Sequence, residues 1–154
     1  MPEFAKRVLG MKASDVTRAD ALALFRAREF DGGFPAKQME SSIRKQVREM
    51  GIDPLASGRI VLDTGEREGK RSRAGGAPVR VPHEVYLVLR PHGGQADYRT
   101  FLHELGHALH FANTRADYPF AYRWLGDNSV TESYAMLLDR MVHPPGWLAR
   151  YAEL

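Results

Sequence analysis

Residues 101–112 read FLHELGHALHFA, and this stretch predicts the central helix of the fold. Its apolar residues recur at intervals of three and four, which aligns one side of a helix made of Phe101, Leu105, Ala108 and Ala112. His103 and His107 lie one helical turn apart, so both imidazoles project from one face and can reach a single ion. We therefore predict a largely uncharged helix over residues 95–114 that carries a metal site.

The residue after the first histidine, Glu104, completes a motif typical of metal-assisted hydrolysis. Glu104 is rotated by about 100° from His103 around the helix, so its carboxylate stands beside an ion held by the two histidines. There it can accept a proton from a metal-bound water, which zinc makes acidic near neutral pH. Only 6 of the 154 residues are histidine, so chance rarely produces this motif. It indicates a zinc-dependent peptidase.

A zinc site of this kind needs a third protein ligand, and Glu132 is the strongest candidate. Glu132 begins a predicted helix after the loop that contains Pro119 and Gly126, so its carboxylate can project towards the first helix. The spacing from Ser129 to Glu132 also matches a capping box, in which Glu132 would only bind backbone N–H groups. Further alternatives for the third ligand are Asp117, Asp127, His83, His92 and His143.

Two more side chains of these helices are candidates for a role beside the metal ligands. His110 lies on the same helical face as His103, but about 10.5 Å farther along the axis, which is too far to share an ion. We expect His110 to contact a ligand, to face the substrate, or simply to be packed. Asp139 lies seven residues after Glu132 on one helical face, so it either hydrogen-bonds a ligand histidine or pairs with Arg140.

The composition limits the classes of protein that fit this sequence. Without cysteine, any transition metal must be bound by histidine and carboxylate, and a cytoplasmic location is favoured. No apolar run approaches the roughly 18 residues of a membrane span, and the first residues lack the apolar segment of a secretory signal. The net charge of +3 is dispersed, so nucleic-acid binding is a minor hypothesis that rests on Arg67, Lys70, Arg71 and Arg73.

The remaining pattern predicts an α+β fold that is mostly helical, with a small sheet near the central helix. Helices are expected over residues 16–30, 37–50, 95–114 and 130–142, and strands over residues 59–63, 79–81 and 85–89. The side of the second helix that faces the core is formed by Met39, Ile43, Val47 and Met50. We expect one domain over residues 1–154, with a helical part (1–58) and a part that holds the sheet and the zinc-binding helices (59–154).

The motif and its surroundings resemble the thimet oligopeptidase and oligoendopeptidase F family of zinc peptidases. Residues 103–110 read HELGHALH, and Glu132 follows His107 by 25 residues. A Gly-rich segment (69–77) and a strand precede the motif, and Glu132 and Asp139 match a pair of carboxylates that the family also shows. The likeness covers roughly residues 59–142 and is most specific at the zinc motif.

This resemblance implies a gluzincin with a zincin-like fold and a bound Zn²⁺. The implied zinc ligands are His103, His107 and Glu132, and the implied general base is Glu104. An extended peptide substrate is then expected to pair with an exposed strand edge at Gly75, Gly76 and Ala77, where small residues permit close approach of the backbone. The alternative for this segment is a flexible basic hairpin that binds nothing.

Members of that family are longer and carry a downstream segment whose His and Tyr residues stabilise the oxyanion. The present sequence ends 22 residues after Glu132, so we expect a shortened catalytic core. Tyr118, Tyr122 and Tyr134 are candidates for an oxyanion donor or are packing aromatics. The predicted function is zinc-dependent hydrolysis of peptide bonds. The alternative is a catalytically inactive zinc-binding domain that binds peptides or a partner protein.

Overall fold

A long central helix, packed between a second helix and a small sheet, organises the fold. The computed structural model describes residues 2–26, 28–71, 73–124 and 126–152. The α-helices are α1 (Pro2–Leu9), α2 (Ala21–Phe25), α3 (Met39–Glu49), α4 (Gln95–Ala112), α5 (Phe120–Trp124), α6 (Asn128–Asp139) and α7 (Pro145–Tyr151). The strands are β1 (Ile60–Asp63), β2 (Gly75–Arg80) and β3 (Glu84–Val88). The predicted α+β class is confirmed.

Helix α4 is the predicted central helix, and the side that was expected to face the core is buried. Phe101, Leu105, Ala108 and Ala112 are all at most 3% exposed. These side chains share one apolar cluster with residues of α3, the sheet, α6 and α7. Burial of this stripe is the main reason why the helix forms where its sequence pattern predicts it.

Helix α6 approaches α4 closely because residue 106 is a glycine. A Cβ atom at Gly106 would lie 2.5 Å from the Cα of Ala135, nearer than two such carbon atoms come in a folded protein. The two helices therefore pack with backbone against backbone at this point. The approach brings the polar side of α6, including Glu132, next to the histidines of α4.

The sheet has three strands in the order β1-β3-β2, with β1 parallel and β2 antiparallel to the central strand β3. Val85 and Leu87 of β3 are almost fully buried, which places the inner face of the sheet against the apolar cluster. The two longer predicted strands are confirmed within one residue at each end. The short one was placed too late, since β2 begins at Gly75 and ends at Arg80.

The N-terminal part differs from its prediction. The helix expected over residues 16–30 is wrong, because only α2 is α-helical there and 3₁₀ turns flank it. Thr17 and Asp20 form a capping box that starts a 3₁₀ turn directly before α2, and the backbone N–H of Thr17 donates to Asp20 at 2.9 Å. After α2, the 3₁₀ turn Arg28–Gly33 ends in two glycines, which are poor formers of an α-helix. Phe30, expected on the same helix, is 46% exposed.

Helix α3 is confirmed, with one correction to its core-facing side. Met39, Ile43 and Val47 are buried as predicted. Met50 is 43% exposed, because it lies beyond the last helical residue and Gly51 turns the chain with φ +81°. The apolar stripe therefore ends one turn earlier than its spacing suggested.

The C-terminal part contains two helices that were not predicted. Helix α5 lies in the expected loop around Pro119, and α7 begins after Pro144. The helix predicted over residues 130–142 is confirmed as α6, which continues as a 3₁₀ turn to Val142. Trp147 of α7 donates a hydrogen bond to buried Gln46 of α3 at 2.8 Å, which joins α7 to α3 in one core.

Helices that could cross a membrane are absent from the described residues, since none combines sufficient length with sufficient apolar character.

Candidate metal centre

The two histidines of the motif are oriented for a shared ligand. His103 and His107 project from α4 with ring centroids 4.9 Å apart and ring planes nearly perpendicular, at 83°. Their side chains are 27% and 15% exposed, so the site is partly shielded yet open to a small molecule. This geometry agrees with the one-turn spacing read from the sequence.

Each histidine is held at Nδ1 by a residue of α6. His103 Nδ1 lies 3.2 Å from Asp139 Oδ2, and because a carboxylate can only accept, the ring nitrogen is the donor. His107 Nδ1 lies 2.8 Å from Thr131 Oγ1. The Thr131 hydroxyl can accept from Nδ1–H of His107 or donate to a bare Nδ1. In the tautomer that carries protons on both Nδ1 atoms, both Nε2 atoms keep a free lone pair. Such partners set the tautomer and ring orientation of metal-binding histidines.

Glu132 of α6 is the third member of the group. Its carboxylate oxygens lie 3.6 Å from His103 Nε2 and 3.7 Å from His107 Nε2. In a tetrahedral zinc site with bonds of 2.0–2.1 Å, neighbouring ligand atoms are roughly 3.4 Å apart. The three side chains offer one ligand atom each, all within 4.8 Å of one another. The donor set and its spacing therefore fit zinc with an open fourth position.

The capping interpretation of Glu132 is wrong. Helix α6 begins two residues earlier than a Ser129 cap requires, and Asp127 is its N-cap. The Asp127 carboxylate accepts a hydrogen bond from the backbone N–H of Ser129 at 2.7 Å, which lowers the pKa of Asp127. The carboxylate of Glu132 is therefore not needed at the helix start and points to the histidines.

The other candidates for the third ligand do not join this group among the residues that the structure describes. Asp127 caps α6, and Asp117 forms an ion pair with Arg115. His83 lies in the turn between β2 and β3. His92 lies before α4, where Asp97 accepts a hydrogen bond from its backbone N–H. His143 lines a groove beside His103.

Glu104 lies against the edge strand of the sheet. The backbone N–H of Gly76 donates a hydrogen bond to Glu104 Oε2 at 2.8 Å. A Cβ at Gly76 would lie 3.5 Å from the Cβ of His107, so the strand runs directly beside α4. All three predicted residues pair with β3, where Gly75, Gly76 and Ala77 lie opposite Val88, Leu87 and Tyr86. Of the three predicted substrate-binding residues, Gly76 is thus the one in contact with the site.

A groove of about 560 Å³ opens on one side of His103 and Glu104. Asp139 forms part of its wall and is 5% exposed, so it is not the surface residue that the pairing alternative assumed. It contacts His103, and its other oxygen lies 3.7 Å from Arg140 Nε. Arg99 adds a third contact to Asp139 at 3.4 Å. The arginines that line this groove are Arg26, Arg73, Arg99 and Arg140.

His110 lies outside the group of His103, His107 and Glu132, at a second cavity of about 820 Å³. Its ring stacks on Tyr134 with centroids 5.1 Å apart, and burial lowers its pKa. Tyr118 and Tyr122 line the same cavity. The three tyrosines considered as oxyanion donors therefore lie at the second cavity and not in the groove beside Glu104.

Some basic residues of the segment before β2 are bound to other groups of the chain. Lys70 is buried and donates to the Asp63 carboxylate at 3.0 Å and to the Gly65 carbonyl at 2.7 Å. Arg67 donates two hydrogen bonds to the same carboxylate. Hydrogen bonds from Arg67 and Lys70 hold the pKa of Asp63 well below its usual value. Two of the four cations considered for nucleic acid thus have internal partners.

Sequence reasoning missed Thr131 and the arginines of the groove. Thr131 directly precedes Glu132, but only the packing of α6 on α4 shows that its hydroxyl meets His107. The arginines come from four separate segments, so no local pattern links them.

Comparisons with protein-family models, with curated proteins and with solved structures return no match, so the resemblance to an oligopeptidase family stays a prediction.

Proposed function

We propose that this chain is a zinc-dependent peptidase of the gluzincin type with a zincin-like fold. His103, His107 and Glu132 are the proposed zinc ligands, and Glu104 is the proposed general base. The observation that carries the proposal is the convergence of both Nε2 atoms on Glu132, with both Nδ1 atoms engaged elsewhere. Incidental histidines on a helix would not need partners that leave Nε2 free.

Zinc, when bound, would lower the pKa of a coordinated water from about 15.7 towards about 7 and polarise the substrate carbonyl. The remaining chemistry belongs to Glu104. As the water oxygen attacks the carbonyl carbon, the Glu104 carboxylate accepts the proton of the water. It then donates that proton to the amide nitrogen while the C–N bond breaks. The contact with Gly76 supports this role, because it holds the carboxylate on the side of the histidines.

The proposed substrate is an extended peptide that runs along the edge of β2. Strand β2 is at the outside of the sheet and passes Glu104 at Gly76. Peptides can add to such an edge through main-chain hydrogen bonds, which position the scissile bond without a side-chain requirement. Small residues in the strand leave room for the substrate backbone.

The decisive experiment compares the wild type with Glu104→Gln in zinc content and in cleavage of a peptide library. Loss of a general base typically costs about 10²–10⁴ in rate, so we expect full zinc content with turnover reduced by about 1,000-fold. Glu68→Gln, an exposed substitution of the same kind, is the control and should leave both unchanged. Retained turnover in Glu104→Gln would overturn the mechanism. Stoichiometric zinc without cleavage by the wild type would instead favour an inactive zinc-binding domain.

A further inference from the structure

The groove beside His103 and Glu104 has an excess of positive charge. Its wall carries four arginines against two carboxylates, those of Glu104 and Asp139. Both carboxylates have partners already: Asp139 contacts His103 and Arg99, and Glu104 accepts from Gly76. Arg99 and Arg140 share the one carboxylate of Asp139, so the positive charge of the arginines is only partly neutralised within the groove, and a bound zinc ion would add to it.

Of the four arginines, Arg73 has the weakest pairing with carboxylates of the described residues. It is exposed, lines the groove, and forms no ion pair with the part of the chain that the structure describes. Arg26 has one long contact of 3.5 Å to Asp31, and Arg140 lies 3.7 Å from Asp139 Oδ1. A guanidinium group that has no close carboxylate partner, at a partly enclosed site, is suited to bind the anionic group of a ligand.

We propose that this groove binds a carboxylate of the peptide substrate, which makes the chain selective for peptides with an acidic group near the scissile bond. The inference rests on the proposed peptidase function and names its substrate class. Arginine forks match the two oxygens of a carboxylate, and hydrogen bonds between two charged groups are stronger than neutral ones. An approaching cationic substrate would meet repulsion from the same groups.

The positions of the arginines indicate how far the carboxylate lies from the reacting bond. Arg99 precedes His103 by one turn of α4, which is about 6 Å along the helix axis. Arg73 precedes Gly76 by three residues, a span of at most about 10 Å. Since an extended substrate advances about 3.3 Å per residue, the carboxylate lies one to three residues from the scissile bond. It is either the C-terminal carboxylate of a short peptide or the side chain of an aspartate or glutamate.

The test measures binding of labelled peptides to zinc-loaded Glu104→Gln, which is expected to bind them without cleavage. One pair of short peptides differs only in a free or an amidated C-terminus. A second, amidated pair differs only in an internal Glu or Gln. We expect the carboxylate member of at least one pair to bind about tenfold more tightly, as a charged hydrogen bond allows. The pair that shows the difference identifies the source of the carboxylate.

Two further substitutions in the same protein assign the effect to the groove. Arg73→Gln should remove most of the discrimination between the members of the pair. Arg71→Gln has the same charge change two residues away and outside the groove, so it should keep the discrimination. Both side chains are exposed, and thermal unfolding checks that both variants remain folded.

Equal binding of both members in each pair, or binding of none of the four peptides, would overturn the inference. Equal loss of discrimination in Arg71→Gln and Arg73→Gln would also overturn it, because the effect would then be one of overall charge. Cleavage by the wild type separates this inference from the proposed function. Peptides bound with the expected preference but never cleaved would refute the peptidase proposal alone, and peptides cleaved without any preference would refute the groove alone.

Discussion

The pair of helices α4 and α6 borders two unlike surfaces, and the contrast between them shows what makes a histidine of α4 a candidate metal ligand. On one side lies the groove with its arginines, next to His103. On the other lies the second cavity, which holds His110 and three tyrosines. His103 and His110 are seven residues apart and nearly aligned along α4. Their different surroundings come from α6.

Helix α6 supplies different partners to the histidines along α4. Asp139 and Glu132 meet His103, whereas the aromatic ring of Tyr134 stacks on His110. A histidine with a carboxylate at Nδ1 and another near Nε2 is suited to bind a metal. One packed against an aromatic ring, with burial that lowers its pKa, is suited to stay neutral.

Glu132→Ala should weaken zinc binding by more than about 100-fold, because loss of a ligand exceeds the 10–100-fold effect of losing a partner of a ligand. The matched control on the cavity side of the same helix is Tyr134→Leu, for which zinc affinity should be unchanged. Competition with a chromophoric chelator measures both. Equal affinities of Glu132→Ala and the wild type would exclude Glu132 as a ligand.

Gly106→Ala should lower the free energy of unfolding by about 3 kcal/mol, because the added methyl group forces the two helices apart. The groove and the second cavity should both change shape, since α6 forms a wall of each. Gly146→Ala is the control: its Cβ meets nothing within 4 Å and it also lies in a helix. Urea unfolding measures the difference, and similar stabilities of the two variants would contradict the close packing at Gly106.

Asp139→Ala should weaken zinc binding by about 10–100-fold, because His103 loses the acceptor that sets its tautomer. Asp127→Ala is the control on the same helix. It removes the N-cap and should cost about 1 kcal/mol of stability without a change in zinc affinity. Zinc titration together with urea unfolding separates the two effects. An Asp139→Ala protein with wild-type affinity would show that the contact with His103 does not matter for the metal.

His110→Phe should change zinc affinity by less than about twofold, because the residue packs at the cavity and does not face the ligand group. It should also alter the pH dependence of stability. Burial lowers the pKa of His110 below its usual value of 6.5, so the unfolded chain binds a proton there before the folded protein does. The wild type should therefore lose more stability than His110→Phe as the pH falls through 6.5. Parallel pH profiles of the two proteins would contradict this.

Much of the fold could be predicted because its patterns are local. The apolar side of α4, most of the stripe of α3 and the two longer strands follow from spacing and residue type alone. The helix expected over residues 16–30 is wrong because this segment is divided into two 3₁₀ turns and the short α2, and the second turn ends in two glycines that disfavour an α-helix. Helix α7 was not predicted because its seven residues are stabilised mainly by tertiary contacts, such as that of Trp147 with Gln46.

The relative positions of His103, Glu104 and His107 follow from local sequence, because positions within one helix are set by 3.6 residues per turn. The surroundings of these three residues depend on how the helices and the sheet pack. The glycine at 106 sets the distance between α4 and α6, and this distance brings Glu132, Thr131 and Asp139 to the histidines. Helix α6, packed on α4, also separates the charged groove from the aromatic cavity. These contacts join residues far apart in the chain, so they depend on how whole helices and strands pack.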